Sequence, residues 1–125
     1  MEILTGHVQL KRILLVDDDD DLRELMMELF ERNGYDANAV GSVAAAIDEL
    51  TSSRYDLVIT DYQMPEMNGD RLIARLRHVS HAPRTILMSA YPHVNQIAQQ
   101  CGADGVFRKG DEVRKLFSLI AEKLG

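Results

Sequence analysis

An α/β fold, a parallel sheet of five strands with helices on both faces, is predicted by three features of the sequence. Short apolar runs such as Ile13-Leu14-Leu15-Val16 and Leu57-Val58-Ile59 read as strands buried on both faces. Segments whose apolar residues recur every three or four positions follow them and read as amphipathic helices. The two patterns alternate five times, as in βα units laid side by side.

The first strand is Arg12 to Val16. Leu22, Leu25, Met26, Leu29 and Phe30 then repeat at helical spacing until Asn33-Gly34 stops the helix, with Asp21 and Glu24 as its expected capping pair. Tyr35 to Val40 is a weaker strand, interrupted by Asp36 and Asn38. Ser42 caps a helix that buries Val43, Ala46, Ile47 and Leu50. Asp56 to Thr60 is the third strand, and Gly69 to Val79 the third helix, with Leu72, Ile73 and Leu76 inward. Arg84 to Met88 is the fourth strand, followed by a helix from Pro92 to Cys101 with Val94, Ile97 and Ala98 inward. Gly105 to Arg108 is the fifth strand. The last helix is expected from Asp111, burying Val113, Leu116, Phe117 and Ile120, with Asp111 and Glu112 at its start and Lys123 near its end suiting the helix dipole.

At 125 residues, 46% of them apolar, the chain has enough material for one core without disulfides or a structural metal. Cys101 has no partner for an internal bridge, no Cys/His spacing resembles a zinc site, and a reducing cytoplasmic setting is expected. Met1 to Gln9 lacks the apolar stretch of a signal peptide, and no segment approaches the roughly 20 apolar residues of a membrane span. A net charge of -6 disfavours direct nucleic-acid binding. There is no internal repeat or linker.

In a parallel sheet, ligands bind beyond the carboxyl ends of the strands, near the point where strand order reverses. The residues found there are Asp17 and Asp18 after the first strand, Asp61 after the third, Ser89 after the fourth and Lys109 after the fifth. The second strand offers only Gly41 and Ser42, as expected of an edge. Three clustered carboxylates repel one another and call for a cation or for shifted pKa values, a divalent metal being the simpler answer. Oxygen ligands alone, and few of them, favour Mg2+. A carboxylate beside that metal is a nucleophile towards phosphorus, and Asp61, alone on a central strand, is the candidate. Lys109 would neutralise charge on the transferring group, and Ser89 would donate a hydrogen bond to it. Asp19, Asp20 and Asp21 are read as acids that start a helix.

These residues resemble the receiver domain of two-component response regulators, of the chemotaxis-regulator kind. The stretch Asp61-Tyr62-Gln63-Met64-Pro65-Glu66-Met67-Asn68-Gly69 is similar to the family's acceptor Asp with its Met-Pro and turn Gly. The order Asp17-Asp18, Asp61, Ser89-Ala90, Lys109 follows the family from about Leu10 to Leu124. The resemblance implies a flavodoxin-like strand order 2-1-3-4-5 in three αβα layers. It implies one receiver domain over residues 1–125, core 10–124, with no effector domain on the chain. Asp17 (through water), Asp18, Asp61 and the backbone carbonyl of Gln63 would hold Mg2+, with Mn2+ as a substitute. Asp61 would take a phosphoryl group from a sensor histidine kinase or a histidine phosphotransfer protein, and the domain would catalyse only its own phosphorylation and slow dephosphorylation. An output partner or a second copy would bind through the fourth helix, fifth strand and fifth helix.

Two positions depart from the family. Val106 stands where an aromatic switch residue is usual and Phe107 follows it; strand alternation sends the two to opposite faces, so without a bulge Phe107 does not simply inherit the role, and a weakened or different aromatic switch is expected. Gly110 replaces the usual Pro, and no cis bond is expected there, since a non-proline cis bond costs about 2.5–4 kcal/mol. Gln63 and Tyr91, each two residues beyond a site residue, are candidates for controlling water access.

Three other readings remain open. A haloacid-dehalogenase-like phosphatase would use Asp17 as nucleophile but leaves the Asp61 stretch unexplained. A pseudo-receiver would not be phosphorylated at all. A flavodoxin-like binder would need a phosphate loop that is missing after the first strand.

Overall fold

The computed structural model describes residues 9–125; the first eight residues, within the stretch read above for a leader, lie outside the described residues. Five strands and five helices alternate: β1 (Arg12–Val16), α1 (Asp20–Arg32), β2 (Asp36–Val40), α2 (Val43–Ser52), β3 (Leu57–Asp61), α3 (Gly69–Leu76), β4 (Arg84–Ser89), α4 (Val94–Cys101), β5 (Gly105–Arg108) and α5 (Val113–Leu124). All strands are parallel, in the order β2-β1-β3-β4-β5. The doubly wound, flavodoxin-like order expected from the sequence is therefore the observed one. No helix among the described residues is long and apolar enough to cross a membrane.

Because side chains alternate across a strand, the two faces of the sheet carry separate cores. On one face Ile13, Leu15, Leu57, Ile59, Ile86 and Met88 pack against Met26 and Phe30 of α1 and Leu116 and Ile120 of α5. On the other, Leu14, Val16 and Val58 meet α2 and α3, and Leu87 meets Ile73, Val94, Ala98 and Cys101 between α3 and α4. Fully burying one such aliphatic side chain stabilises by roughly 1.5–3 kcal/mol. β3 is hydrogen-bonded on both edges and buried throughout, which places its last residue, Asp61, at the centre of the sheet's carboxyl edge.

Several helix details differ from the expectation. Asp19, not the Asp21–Glu24 pair, caps α1: its carboxylate accepts from the backbone N–H groups of Asp21 and Leu22. The helix begins early enough that Asp20 and Asp21 already occupy its first turn, where acids favour the dipole. Leu25 is 53% exposed, because the buried stripe of α1 runs through Met26 and Phe30 and leaves Leu25 on its flank. α3 ends at Leu76 rather than Val79; beyond it the backbone bonds shorten to three-residue turns, His78 to Arg75 and Val79 to Leu76, and Val79 is exposed.

α4 starts at Val94 rather than Pro92. α5 starts at Val113 rather than Asp111, since Glu112 holds an extended ψ of 134° and spends its carboxylate on Arg114. Val113, at the first turn of α5, is exposed instead of buried. The peptide bonds of the described residues are trans, and Gly110 adopts φ +99°, a conformation closed to proline.

Candidate functional site at the carboxyl edge of the sheet

β1 ends by delivering Asp17, whose N–H donates to Val40 O of the edge strand at 3.0 Å. The Asp17 side chain is fully buried. One of its oxygens accepts from the Asp19 N–H at 2.9 Å and the other from Lys109 Nζ at 2.9 Å. Asp18, next in the chain, is exposed. Asp61 is buried to within 7%. Each of Asp17, Asp18 and Asp61 offers a carboxylate oxygen to one group whose atoms all lie within 4.8 Å of one another.

Lys109 reaches this group from the loop after β5, tied by its N–H to Ser89 O at 3.0 Å. Its ammonium lies between the carboxylates, 2.9 Å from Asp17 and 3.1 Å from Asp61. Burial by itself would lower the Lys109 pKa, but the bonds to and charges of Asp17 and Asp61 outweigh it, and the group is held above its ordinary value. Asp61 moves up as well. Burial is the main cause, Lys109 pulls the value back, and Asp17 and Asp18 add to the rise. One ammonium thus falls short of compensating three carboxylates. An all-oxygen donor set with excess negative charge and one exposed member fits a hard divalent cation that keeps part of its water shell.

Ser89, the last residue of β4, is buried; its hydroxyl oxygen accepts from the Tyr91 N–H at 2.9 Å. Tyr91 is exposed, and its ring packs on Tyr62, the residue after Asp61, with centroids 5.8 Å apart. Gln63 is exposed in the loop that follows. Val106 packs with the α3–α4 core, whereas Phe107 packs with the α1–α5 core on the other face.

Two contributors escaped the sequence reading. Gly69 reads from the sequence as a turn residue and the start of the third helix; beyond that, its N–H donates to Tyr62 O at 2.8 Å, and a Cβ there would lie 2.0 Å from Asp61 O. The bare α-carbon therefore lets α3 begin directly against the acceptor strand. Arg23 was not singled out, although its guanidinium donates to the main-chain oxygen of Asp17; the available signal was an Arg close behind a run of five acids.

Comparison with known proteins agrees with this geometry. The family model described as "Response regulator receiver domain" matches residues 13–121. The chain is 33% identical over 109 residues to the sporulation initiation phosphotransferase F of Bacillus subtilis, covering 83% of this chain and 88% of that protein. It is 36% identical over 113 residues to the response regulator protein FleR of Pseudomonas aeruginosa, covering 88% of this chain but only 24% of FleR. Among solved structures, the response regulator TrrA of Thermotoga maritima, in complex with Mg(2+)-BeF, superposes with a TM-score of 0.84 at 30% identity, over 91% of this chain and 99% of that one. Receiver domains bind Mg2+ at an Asp cluster and accept phosphate from histidine kinases. A family match over residues 13–121, an acidic cluster at the predicted sheet edge and the observed strand order converge: the chain belongs to the response regulator receiver domain family of two-component signalling.

Proposed function

We propose that Asp61 is the phosphoacceptor, that Asp17, Asp18, Asp61 and the Gln63 carbonyl hold Mg2+, and that Ser89 and Lys109 receive the phosphoryl oxygens. The observation that carries this reading is the convergence of three carboxylates and the Lys109 ammonium at the ends of β1, β3 and β5. When bound, Mg2+ supplies positive charge to the oxygens of the transferring group; Mn2+, with similar ligand preferences, would substitute. An Asp61 carboxylate oxygen forms the new P–O bond as the P–N bond of the donor phosphohistidine breaks, and the departing imidazole takes a proton. Lys109 compensates charge on the phosphoryl oxygens, and the Ser89 hydroxyl, whose proton is left free because its oxygen accepts from the Tyr91 N–H, donates to one of them. Water later attacks phosphorus, returning the carboxylate and releasing inorganic phosphate.

The burial of Asp17 and the engagement of both its carboxylate oxygens argue against the phosphatase reading, in which it would be the nucleophile. The donor is read as a sensor histidine kinase or a histidine phosphotransfer protein in the cytoplasm. Output, through a partner or a second copy, is read at α4, β5 and α5, where Asn95, Gln96, Arg108, Arg114 and Lys115 are exposed. With Val106 at the usual aromatic position and Phe107 packed on the other face, a weakened or different aromatic switch is read here.

Acetyl phosphate with Mg2+, followed by intact mass measurement, tests the assignment. The wild type should gain one phosphoryl group, Asp61→Asn none, and Asp17→Asn little. Labelling that survives Asp61→Asn and disappears in Asp17→Asn would return the phosphatase reading.

A further inference from the structure

Arg23, in the second turn of α1, turns its guanidinium back over the start of the helix. Nη1 donates to the main-chain oxygen of Asp17 at 2.7 Å, and Nη2 pairs with the Asp20 carboxylate. The side chain is only 24% exposed. Room for it comes from Gly41, at the corner between β2 and α2, where a Cβ would lie 3.0 Å from Nη1. One cation therefore ties the end of β1 to the first turn of α1 and lies against the corner after β2.

The Asp17 oxygen belongs to the planar peptide unit that joins Asp17 to Asp18. Asp17 has its carboxylate held by two further bonds, from Asp19 and Lys109. Asp18 is exposed, and the plane of that peptide fixes where its α-carbon sits relative to Asp17. Holding that plane limits where the Asp18 carboxylate can reach, and an oxygen of each of Asp17, Asp18 and Asp61 lies within 4.8 Å of the others.

We propose that Arg23 is a positioning residue for the divalent-cation site, fixing the Asp17–Asp18 peptide so that the carboxylates converge, with Gly41 leaving the space it needs. The proposal rests on the reading of Asp17, Asp18 and Asp61 as that site. Its sign separates it from a simple charge effect. A positive charge near a cation site weakens cation binding, so removing it should tighten the site. Removing a group that orients the ligands loosens it, typically by about 10–100-fold.

The test is a Mg2+ titration of the wild type, Arg23→Met, Arg23→Lys, Gly41→Val and Asp17→Asn, followed by amide NMR shifts at residues 61 and 63, with thermal unfolding of each protein in EDTA. Arg23→Met should weaken Mg2+ binding about tenfold. Gly41→Val keeps the charge, displaces the guanidinium and should weaken binding too, while Arg23→Lys recovers part of the loss. Unchanged or tighter binding by folded Arg23→Met overturns the proposal even if its Tm falls, and leaves the site assignment intact. If Arg23→Met does not fold, Gly41→Val decides by the same criterion. A wild type without Mg2+ binding that Asp17→Asn abolishes overturns the site assignment and the proposal together.

Discussion

The Lys109 ammonium stands 3.1 Å from the carboxylate of Asp61, yet it does not return that carboxylate to its ordinary pKa. Burial pushes Asp61 up, and the charges of Asp17 and Asp18 oppose the pull of Lys109. A carboxyl group whose folded pKa exceeds its unfolded value contributes stability that is full below the unfolded value, near 3.8, and is lost as pH rises through the folded one. At neutral pH without metal, ionised Asp61 therefore weakens the fold. Asp61→Asn should melt higher than the wild type at pH 7 in EDTA, and the gap should close towards pH 4. Adding Mg2+ should raise the wild type more than the variant. A variant that melts at or below the wild type in EDTA would contradict this account.

Lys109→Met should act in the opposite direction. Asp17 is fully buried and would lose its only side-chain cation partner among the described residues, keeping just the Asp19 N–H. Breaking a buried pair costs roughly 3–5 kcal/mol, and the partial exposure of Lys109 puts the expectation at the lower end, about 3 kcal/mol. Urea unfolding in EDTA measures it. Mg2+ should restore part of the loss, because a cation again neutralises Asp17.

Gly69→Ala places a methyl group 2.0 Å from the Asp61 carbonyl oxygen and 2.5 Å from the Thr60 hydroxyl. Backbone cannot yield there as a flexible side chain would, so α3 must shift away from β3. The expected cost is about 1–3 kcal/mol, as for other overpacked sites, with a slower phosphorylation rate from acetyl phosphate. Normal stability combined with a normal rate would show that the α3 start moves freely.

Tyr91→Ala removes the ring that packs on Tyr62 beside the acceptor strand. If the ring limits water access to phosphorus, the phosphoryl group on the variant should hydrolyse several-fold faster in Mg2+, while the rate of its formation changes less. The measurement is the decay of the phosphorylated mass after acetyl phosphate is removed. An unchanged half-life excludes shielding by Tyr91.

Much of the sheet was legible because buried parallel strands leave uninterrupted apolar runs. Ile13 to Val16 and Leu57 to Ile59 carry that signal, and Asp17 and Asp61 follow from where those runs stop. Helix ends were less legible, since backbone geometry decides among adjacent candidates. In a run of five acids any one can cap α1, and Asp19 does so only because the chain leaves β1 in an extended conformation there. Leu25 and Val113 satisfied the helical spacing but fell on the flank and first turn of their helices. Arg23 and Gly41 lie far apart in sequence and nothing local links them; their relation exists only once β1 and β2 are paired. The opposite facing of Val106 and Phe107, by contrast, needs only the two-residue period of a strand.

Cys101 is the chain's single thiol and lies buried at the end of α4, in the cluster that also contains Val106 and Tyr62. Burial raises its pKa, with the Asp70 carboxylate adding to the rise, so the thiolate is scarce in the closed fold. Were α4 to lift away from the sheet, an alkylating reagent would reach the thiol, and the rate of modification would count those openings. Since the Tyr91 carbonyl accepts from the first N–H of α4, the loop that follows Ser89 is coupled to that helix. Cys101 would then serve as a probe of α4 with no label introduced: the ratio of alkylation rates with and without acetyl phosphate would give the free energy that the treatment adds to or withdraws from the α4 contact.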